Sequence, residues 1–496
     1  MNDELPRGWE SIELQNIASW GSGGTPPRKN PKFYGGDIPW IKTGELGDGL
    51  ILDTKEKITA EGLKKSSAKL FPKGSVAIAM YGATIGKVSI LGIDAATNQA
   101  CAVGIPDLRA TSAQYIFQYL RSQRDAFIGA GKGGAQPNLS QGVIKEWPFP
   151  LAPLAEQKRI ADKLELLLGR VDACRARLDR VPGLLKRFRQ SVLAAATSGK
   201  LTKEWRNQNS GIADAATVLA EIESTKEGKL RVRKSNANLD ALSLFDVPPK
   251  WSWVKNHRLA ADANTAICAG PFGTIFKAKD FRDSGVPIIF LRHVAEGQYL
   301  TRKPGFMDRT VWKAQHQEYS IHGGELLVTK LGDPPGTACI YPEGIGTAMV
   351  TPDVMKMDVD QRVVDPLFLM YFFNSPLCKD LVGQMAFGAT RLRIDLTMFK
   401  NFPIPLPPRA EQQEIVRRVE TLFAFADRIE ARLATAQKTV ERLTPATLAK
   451  AFRGELVPQD PNDEPASALL ERLSALKAAT PTKAKKRKPR VTNKPK

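Results

Sequence analysis

The stretch Pro150-Leu151-Ala152-Pro153-Leu154-Ala155-Glu156-Gln157-Lys158-Arg159-Ile160 returns 255 positions later, without a gap, as Pro405-Leu406-Pro407-Pro408-Arg409-Ala410-Glu411-Gln412-Gln413-Glu414-Ile415. The same register runs on through Arg177-Leu178 and Arg432-Leu433 to Gly199-Lys200-Leu201 and Gly454-Glu455-Leu456. A whole structural unit has been copied. The chain must therefore fold as two similar bodies and present two similar surfaces.

Two globular segments alternate with two helical ones. From Leu5 to about Pro153 the sequence is rich in Gly and Pro, and short apolar runs such as Ile38-Pro39-Trp40-Ile41 and Ser75 to Met80 read as strands between turns. A second strand-rich domain spans about Val247 to Pro408, where Pro248-Pro249-Lys250-Trp251 echoes Pro6-Arg7-Gly8-Trp9 and Val286-Pro287-Ile288-Ile289 echoes residues 38–41. Tyr81-Gly82 and Gly86 align with Leu331-Gly332 and Gly336, yet the residues between the glycines differ almost completely. Matching scaffolds with different loops imply related ligands read differently.

In the helical segments Ile160, Leu164, Leu167, Val171, Cys174 and Leu178 are spaced 4-3-4-3-4, as are Ile415, Val419, Leu422, Ala426, Ile429 and Leu433. That spacing predicts a coiled-coil seam, and two equal seams in one chain are expected to pair with each other. Pro182 and Pro445 should kink or interrupt each helix, which otherwise spans roughly 60 Å over ~40 residues. Gly199 and Gly454 read as helix stops, each followed by a short amphipathic helix, around Ala215 to Ile222 and Ala466 to Leu473.

The net charge of +20 falls only to +12 when the basic tail from Pro481 is set aside, so the folded body is itself basic. Such a field favours a polyanion, because each neutralised phosphate releases condensed counterions. Five scattered cysteines without a C-x-x-C pair fit a reducing cytosol better than structural zinc. The N-terminus lacks a signal-like pattern and no window approaches 18 uninterrupted apolar residues, so neither secretion nor membrane spanning is expected.

Strings that imitate catalytic motifs each fail on a required residue. Asn30-Pro31-Lys32-Phe33 and Asp333-Pro334-Pro335-Gly336 approach the Asn/Asp-Pro-Pro-aromatic loop of amino-methyltransferases, but the first lacks a proline and the second the aromatic. Gly82-Ala83-Thr84-Ile85-Gly86-Lys87-Val88 has three residues between its glycines where a phosphate loop has four, and reads instead as a glycine-shaped hairpin. Pro352-Asp353 lacks the acid-x-Lys that would complete a nuclease metal site. His257, His293, His316 and His322 all lie in the second half, and a catalytic role should not vanish from one copy of a duplicated unit. No catalytic residue, metal ligand or cofactor is assigned to this chain.

Recognition remains. The first domain places Thr25, Arg28, Lys29, Lys42, Thr43, Tyr81, Thr84, Lys87, Asn98, Gln99, Lys132, Gln136 and Asn138 in predicted loops. The second places Lys277, Arg282, Arg292, His293, Lys330, Arg391 and Arg393 there. Arg and Lys pair with guanine, Asn and Gln with adenine, and the rest anchor phosphate oxygens.

From Leu5 to about Leu473 the chain resembles the specificity subunit of a type I restriction-modification enzyme. The resemblance rests on Gly8-Trp9, Gly24-Thr25-Pro26, Gly35 to Ile41, Gly82 to Lys87 and Asn98-Gln99, and on the Pro-Leu-x-Pro-x-Ala-Glu-Gln entry and Gly-Lys/Glu-Leu exit of each long helix. The second copy departs where Ile288-Ile289-Phe290 replaces Trp40-Ile41-Lys42 and where Thr351-Pro352-Asp353 stands near the place of Asn98-Gln99. The resemblance implies an α+β fold, a tandem pseudo-repeat of two mixed α/β target recognition domains separated by two long helices pairing as an antiparallel coiled coil. The expected boundaries are 1–153 for the first recognition domain, 154–205 for the first long helix and 206–246 for a connector with a short helix. The second copy follows as 247–407, 408–456 and 457–480 for domain, long helix and short helix, with a disordered basic tail at 481–496.

It further implies a non-catalytic cytoplasmic reader of bipartite double-stranded DNA that binds two methyltransferase subunits, with two restriction subunits able to join. S-adenosylmethionine, ATP and magnesium would be used by those partners and not by this chain. Readers held about one helical turn apart, roughly 34 Å, would meet the same face of B-DNA twice. Two rival readings are a self-contained DNA methyltransferase or nuclease with degenerate motifs, and a coiled-coil scaffold whose basic charge is incidental.

Overall fold

The computed structural model describes residues 5–47, 49–131, 138–233, 239–271, 281–388 and 391–479. The predicted contacts Lys132, Gln136 and Lys277 and the basic tail lie outside them. The chain divides into one unit formed by Met1–Asp179 with Thr435–Lys496 and another formed by Arg180–Ala434.

Six strands of the first domain recur in the second. In the first they are β1 (Ala18–Ser22), β2 (Tyr34–Ile41), β3 (Val76–Ala79), β4 (Val88–Leu91), β5 (Ala95–Thr97) and β6 (Cys101–Pro106). In the second they are β7 (Ile267–Ala269), β8 (Val286–Ile289), β9 (Leu326–Thr329), β10 (Ala338–Ile340), β11 (Ala348–Val350) and β12 (Val354–Met357). One sheet has the order β1-β6-β3-β4 with Leu50–Ile51 added at its edge, and its counterpart runs β7-β12-β9-β10. A second sheet is built around the parallel pair β2·β5, joined through Trp40↔Ala96, and is matched by the parallel pair β8·β11 through Ile288↔Met349. β3 (Val-Ala-Ile-Ala) and β9 (Leu-Leu-Val-Thr) lie inside their sheets and are buried at every position, as largely apolar runs covered on both faces must be. The hairpin read from Gly82 to Lys87 joins β3 to β4, which pair antiparallel through Ile78↔Val88.

Two glycines explain how closely the two sheets of each domain approach. A Cβ on Gly23 would lie 2.1 Å from the Thr97 carbonyl oxygen, and one on its counterpart Gly270 would lie 2.1 Å from that of Val350. No other residue fits either position.

The first long segment forms α1 (Leu154–Leu178) and α2 (Val181–Thr197), with Pro182 seated in the first turn of α2, where its missing N–H costs nothing. α3 (Ala215–Glu223) is the first short helix. The second segment is a single helix, α4 (Arg409–Phe452), followed by the short α5 (Ala466–Ala479). Pro445 lies inside α4, so the expected interruption occurs in the first copy and not in the second. Gly199 and Gly454 adopt φ +74° and +75°, the left-handed stop inferred for both helices.

In the first unit Ile160, Leu164 and Leu168 of α1 share a core with Leu448, Ala451 and Phe452 near the end of α4. In the second, Val192, Leu193 and Ala196 near the end of α2 share one with Ile415, Val416 and Val419 near the start of α4. Both arrangements are antiparallel. The buried α1 residues Ile160, Leu164, Leu168 and Val171 step 4-4-3, so the seam moves from Leu167, which is half-buried, to Leu168. Cys174 is exposed and Leu178 half-buried, which corrects the assignment of Cys174 to the seam: a helix of 3.6 residues per turn drifts off a 3.5 repeat. In α4, Ile415, Val419, Ala426 and Leu433 are buried, with Leu422 and Ile429 half-buried.

The Ala-Glu-Gln motif at each helix entry is a clamp. Trp9 Nε1 donates to Glu156 Oε2 at 3.0 Å, and Trp251 Nε1 to Glu411 Oε2 at 2.9 Å. Gln157 donates to the Ala110 and Ala152 carbonyls, and Gln412 to those of Val363 and Pro407. The motif repeats because it fastens each helix to its own domain.

Candidate nucleic-acid interface

Matched backbone hydrogen bonds bring some of the predicted contacts, Tyr81, Asn98 and Asn138 in the first domain and Lys330 and Arg393 in the second, onto one rim in each domain. In the first, Asn98 N donates to Ile41 O at 3.0 Å, Met80 N to Ala100 O at 2.9 Å and Leu139 N to Met80 O at 2.9 Å. In the second, Thr351 N donates to Ile289 O at 3.1 Å, Lys330 N to Asp353 O at 2.9 Å and Ile394 N to Lys330 O at 3.0 Å. Isolated bridges complete the match, Tyr81 with Asn138 and Leu331 with Arg393. Thr351-Pro352 therefore occupies the place of Asn98-Gln99.

Backbone geometry is kept while side chains change. Met80 becomes Lys330, Tyr81 becomes Leu331, Asn98 becomes Thr351 and Asn138 becomes Arg393. Each rim is thus the same frame carrying different side chains, with a buried Met80 and an apolar Leu331 among them.

On the first rim, the Thr25 hydroxyl bonds the Gln99 side chain, and Asn98 Oδ1 accepts from the Cys101 thiol at 3.2 Å. Arg28 lies over Tyr34 and Trp40, with its guanidinium 4.6 and 5.0 Å from the ring centroids. Tyr81 and Asn138 are exposed, Thr84 Oγ1 donates to the Tyr81 carbonyl at 2.9 Å, and Lys87 and Thr43 are half-buried. Lys29 is exposed on the same loop as Arg28.

Sequence reasoning missed Glu56. It pairs with both Arg28 and Lys42, and Lys42 first and Arg28 second hold its carboxyl below the usual carboxylate range. Two of the expected cations are therefore partly neutralised where they stand. Their partner is distant in sequence, and no local pattern announces it.

On the second rim, Arg292 is exposed over Phe290 at 4.3 Å, and Arg393 lies over Phe387 at 5.0 Å. Arg391 is exposed and lines a cleft of about 490 Å³ with Leu331, Gly332 and Asp333. Lys330 is half-buried, and burial draws its ammonium below the ordinary lysine value. Arg282 is exposed but pairs with Asp308 at 3.3 Å.

His293 requires a correction. It is fully buried, and its Nδ1 accepts the Phe290 N–H at 2.9 Å, so the ring proton resides on Nε2. Glu45 does the same at the equivalent turn of the first domain, accepting the Lys42 N–H at 2.9 Å. The histidine is a cap in place of a carboxylate. Burial lowers its pKa and keeps it neutral, and it makes no base contact.

Two structurally equivalent rims, lined by Arg, Asn, Gln and Tyr side chains on a basic chain, define a nucleic-acid reader with two recognition surfaces. A family model described as the type I restriction modification DNA specificity domain matches residues 6–180 and 310–437. The specificity subunit of the EcoBI type I restriction enzyme of Escherichia coli is 33% identical over 359 residues, covering 71% of this chain and 69% of that one. The EcoDI specificity subunit of the same organism is 29% identical over 494 residues, covering 98% and 99%. Among solved structures, the HsdS subunit of Thermoanaerobacter tengcongensis superposes with a TM-score of 0.55 at 18% identity, covering 91% of this chain and 98% of its own. A chain from a type I R-M system solved for its complex assembly and conformational transition gives 0.61 at 19%, covering 91% and 99%. The solved structures establish the fold. This chain belongs to the type I restriction-modification DNA specificity family, and its part in such an enzyme is DNA recognition and not catalysis. Among the described residues, no helix is long and apolar enough to cross a membrane.

Proposed function

We propose that each rim reads one half of a split DNA sequence and that the two halves differ. The observation that carries this is one set of backbone hydrogen bonds holding different side chains in the two domains, Met80, Tyr81, Asn98 and Asn138 against Lys330, Leu331, Thr351 and Arg393. Loops enter the major groove and basic side chains anchor phosphates. An adenine in each half-site is offered to a partner for flipping and methylation. Two methyltransferase subunits using S-adenosylmethionine assemble on the chain in the cytosol, and two restriction subunits using ATP and magnesium complete the nuclease. This chain itself holds no cofactor.

The test is genome-wide adenine methylation in cells carrying the methyltransferase subunit, with and without this chain. A split motif with a fixed gap that depends on both supports the reading. Methylation by the purified chain alone would refute it in favour of a self-contained enzyme, and binding without sequence preference would refute it in favour of a scaffold.

A further inference from the structure

The two helix-entry clamps are equivalent in backbone but not in what surrounds them. In the second copy Arg409, on the first turn of α4, reaches back to the turn that precedes the helix Pro366–Asn374. It pairs with Asp365 at 2.9 Å and donates to the Gln361 carbonyl at 3.1 Å. The Asp365 N–H in turn donates to Gln412 Oε1 at 2.7 Å, so that amide is satisfied and the seam is latched.

The first copy has the same turn, fixed by the same bonds: Asp107 N donates to Ile17 O at 2.8 Å where Asp360 N donates to Leu259 O at 2.9 Å. The latch residues are gone. Leu154 stands for Arg409, Leu108 for Gln361 and Ser112 for Asp365. Leu108 is 76% exposed and Leu154 38%. Between them opens a groove of about 780 Å³, where the second copy has its latch. Two of its lining residues carry buried atoms, Gln157 Oε1 and Thr111 Oγ1, that have no hydrogen-bond partner among the described residues. In the second copy the first is satisfied and the second is replaced by Val364.

We infer that this groove receives an apolar side chain carried on a basic surface of one methyltransferase subunit, so that the two methyltransferases are held by unlike contacts. The inference rests on the proposed function for the identity of the partner. The groove floor is apolar through Leu154 and Ala161, while Asp162 and Glu165 line it against the cation of Lys158; Glu464 at its edge is already paired with Arg472 at 2.8 Å. On a chain of +20 such an acidic lining repels DNA and selects a basic protein surface. The chain's own basic tail is a poor occupant, because residues 481–496 offer only Ala and Val as apolar groups besides proline. The incoming group gains the apolar burial that Leu108 and Leu154 lack.

The test uses the full chain with the methyltransferase subunit of its own system, followed by native mass spectrometry and calorimetric titration. Leu108→Lys places a cation at an exposed position where it cannot disturb folding, and the pair Ser112→Asp with Leu154→Arg installs the latch seen in the other copy. Wild type is expected to take two methyltransferases. Both variants should lose about thirty-fold in affinity at one of the two sites and keep the other. Two unchanged sites in both variants would overturn the inference while leaving the proposed function intact. A wild-type chain that binds no methyltransferase would remove the proposed function, and the inference with it. A change in the sedimentation of the chain alone would assign the groove to a second copy and would also overturn it.

Discussion

Glu156 and Glu411 occupy the same place in the two copies, yet the same substitution should have unequal consequences. Glu411 is fully buried and accepts from Trp251, from Thr202 at 2.7 Å and from Arg206 at 2.8 Å, inside the second unit. Glu156 is equally buried and accepts from Trp9, but its Oε1 has no partner among the described residues, and burial raises its pKa above the ordinary 4.5. Glu411→Gln removes the charge that Arg206 was buried against and should cost about 3 kcal/mol, because one member of a desolvated pair is left behind. For a unit of this size that corresponds to a fall of about 6–12 °C in melting temperature. Glu156→Gln keeps an acceptor for Trp9 and removes a carboxylate whose burial outweighs the support it receives from Trp9 and Arg159, so the first unit should stay within about 3 °C of wild type.

The pH dependence carries a sign as well. A carboxyl whose folded value is raised binds its proton more tightly in the fold, so its penalty is fully present above that folded value and vanishes below 4.5. On acidification wild type should therefore gain stability relative to Glu156→Gln across that window. Thermal scanning, with hydrogen exchange to report on each unit separately, measures both effects. Equal destabilisation by the two substitutions would show that Glu156 is charge-paired after all and would refute the asymmetry between the clamps.

Gly270→Ala should disrupt the second recognition domain, since its Cβ would meet a carbonyl oxygen at 2.1 Å; loss of hydrogen-exchange protection in β8 and β11 with β2 and β5 unaffected is the expected readout. Lys87→Ala, if Lys87 holds a phosphate, should weaken binding to all sequences alike and lower the salt slope by about 1, as read by titration at several salt concentrations. Replacing residues 5–150 with the corresponding domain of a relative should change one half of the methylated motif and leave the other as it was; a change in both halves would contradict independent reading.

The doubling, the helix stops and the strand cores were legible because they rest on short-range rules: apolar runs, a glycine after a helix, an eleven-residue string returning in the same register. The glycine string from Gly82 could be read as a hairpin because a phosphate loop needs a fixed spacing that it lacks. Side-chain partners were not legible. Glu56 lies 28 and 14 residues from the two cations it neutralises, and only folding brings them together. His293 looked like a surface contact until its turn could be superposed on Glu45, a match that sequence hides because the two residues share no chemistry beyond accepting one hydrogen bond. Cys174 was lost from the seam because a strict heptad count ignores the drift of a straight helix, whereas Pro445 is accommodated at an exposed position of α4, where tertiary packing on either side sustains the helix.

The first unit is assembled from both ends of the sequence, Met1–Asp179 together with Thr435–Lys496, whereas the second is one continuous stretch. During synthesis the second unit has all of its residues once Ala434 has left the ribosome, while the earlier-made domain still lacks Leu448, Phe452 and Leu469, which close its core. The part translated first is thus the part finished last. A premature stop beyond Ala434 would injure the recognition surface encoded at the opposite end of the message and spare the one encoded beside it.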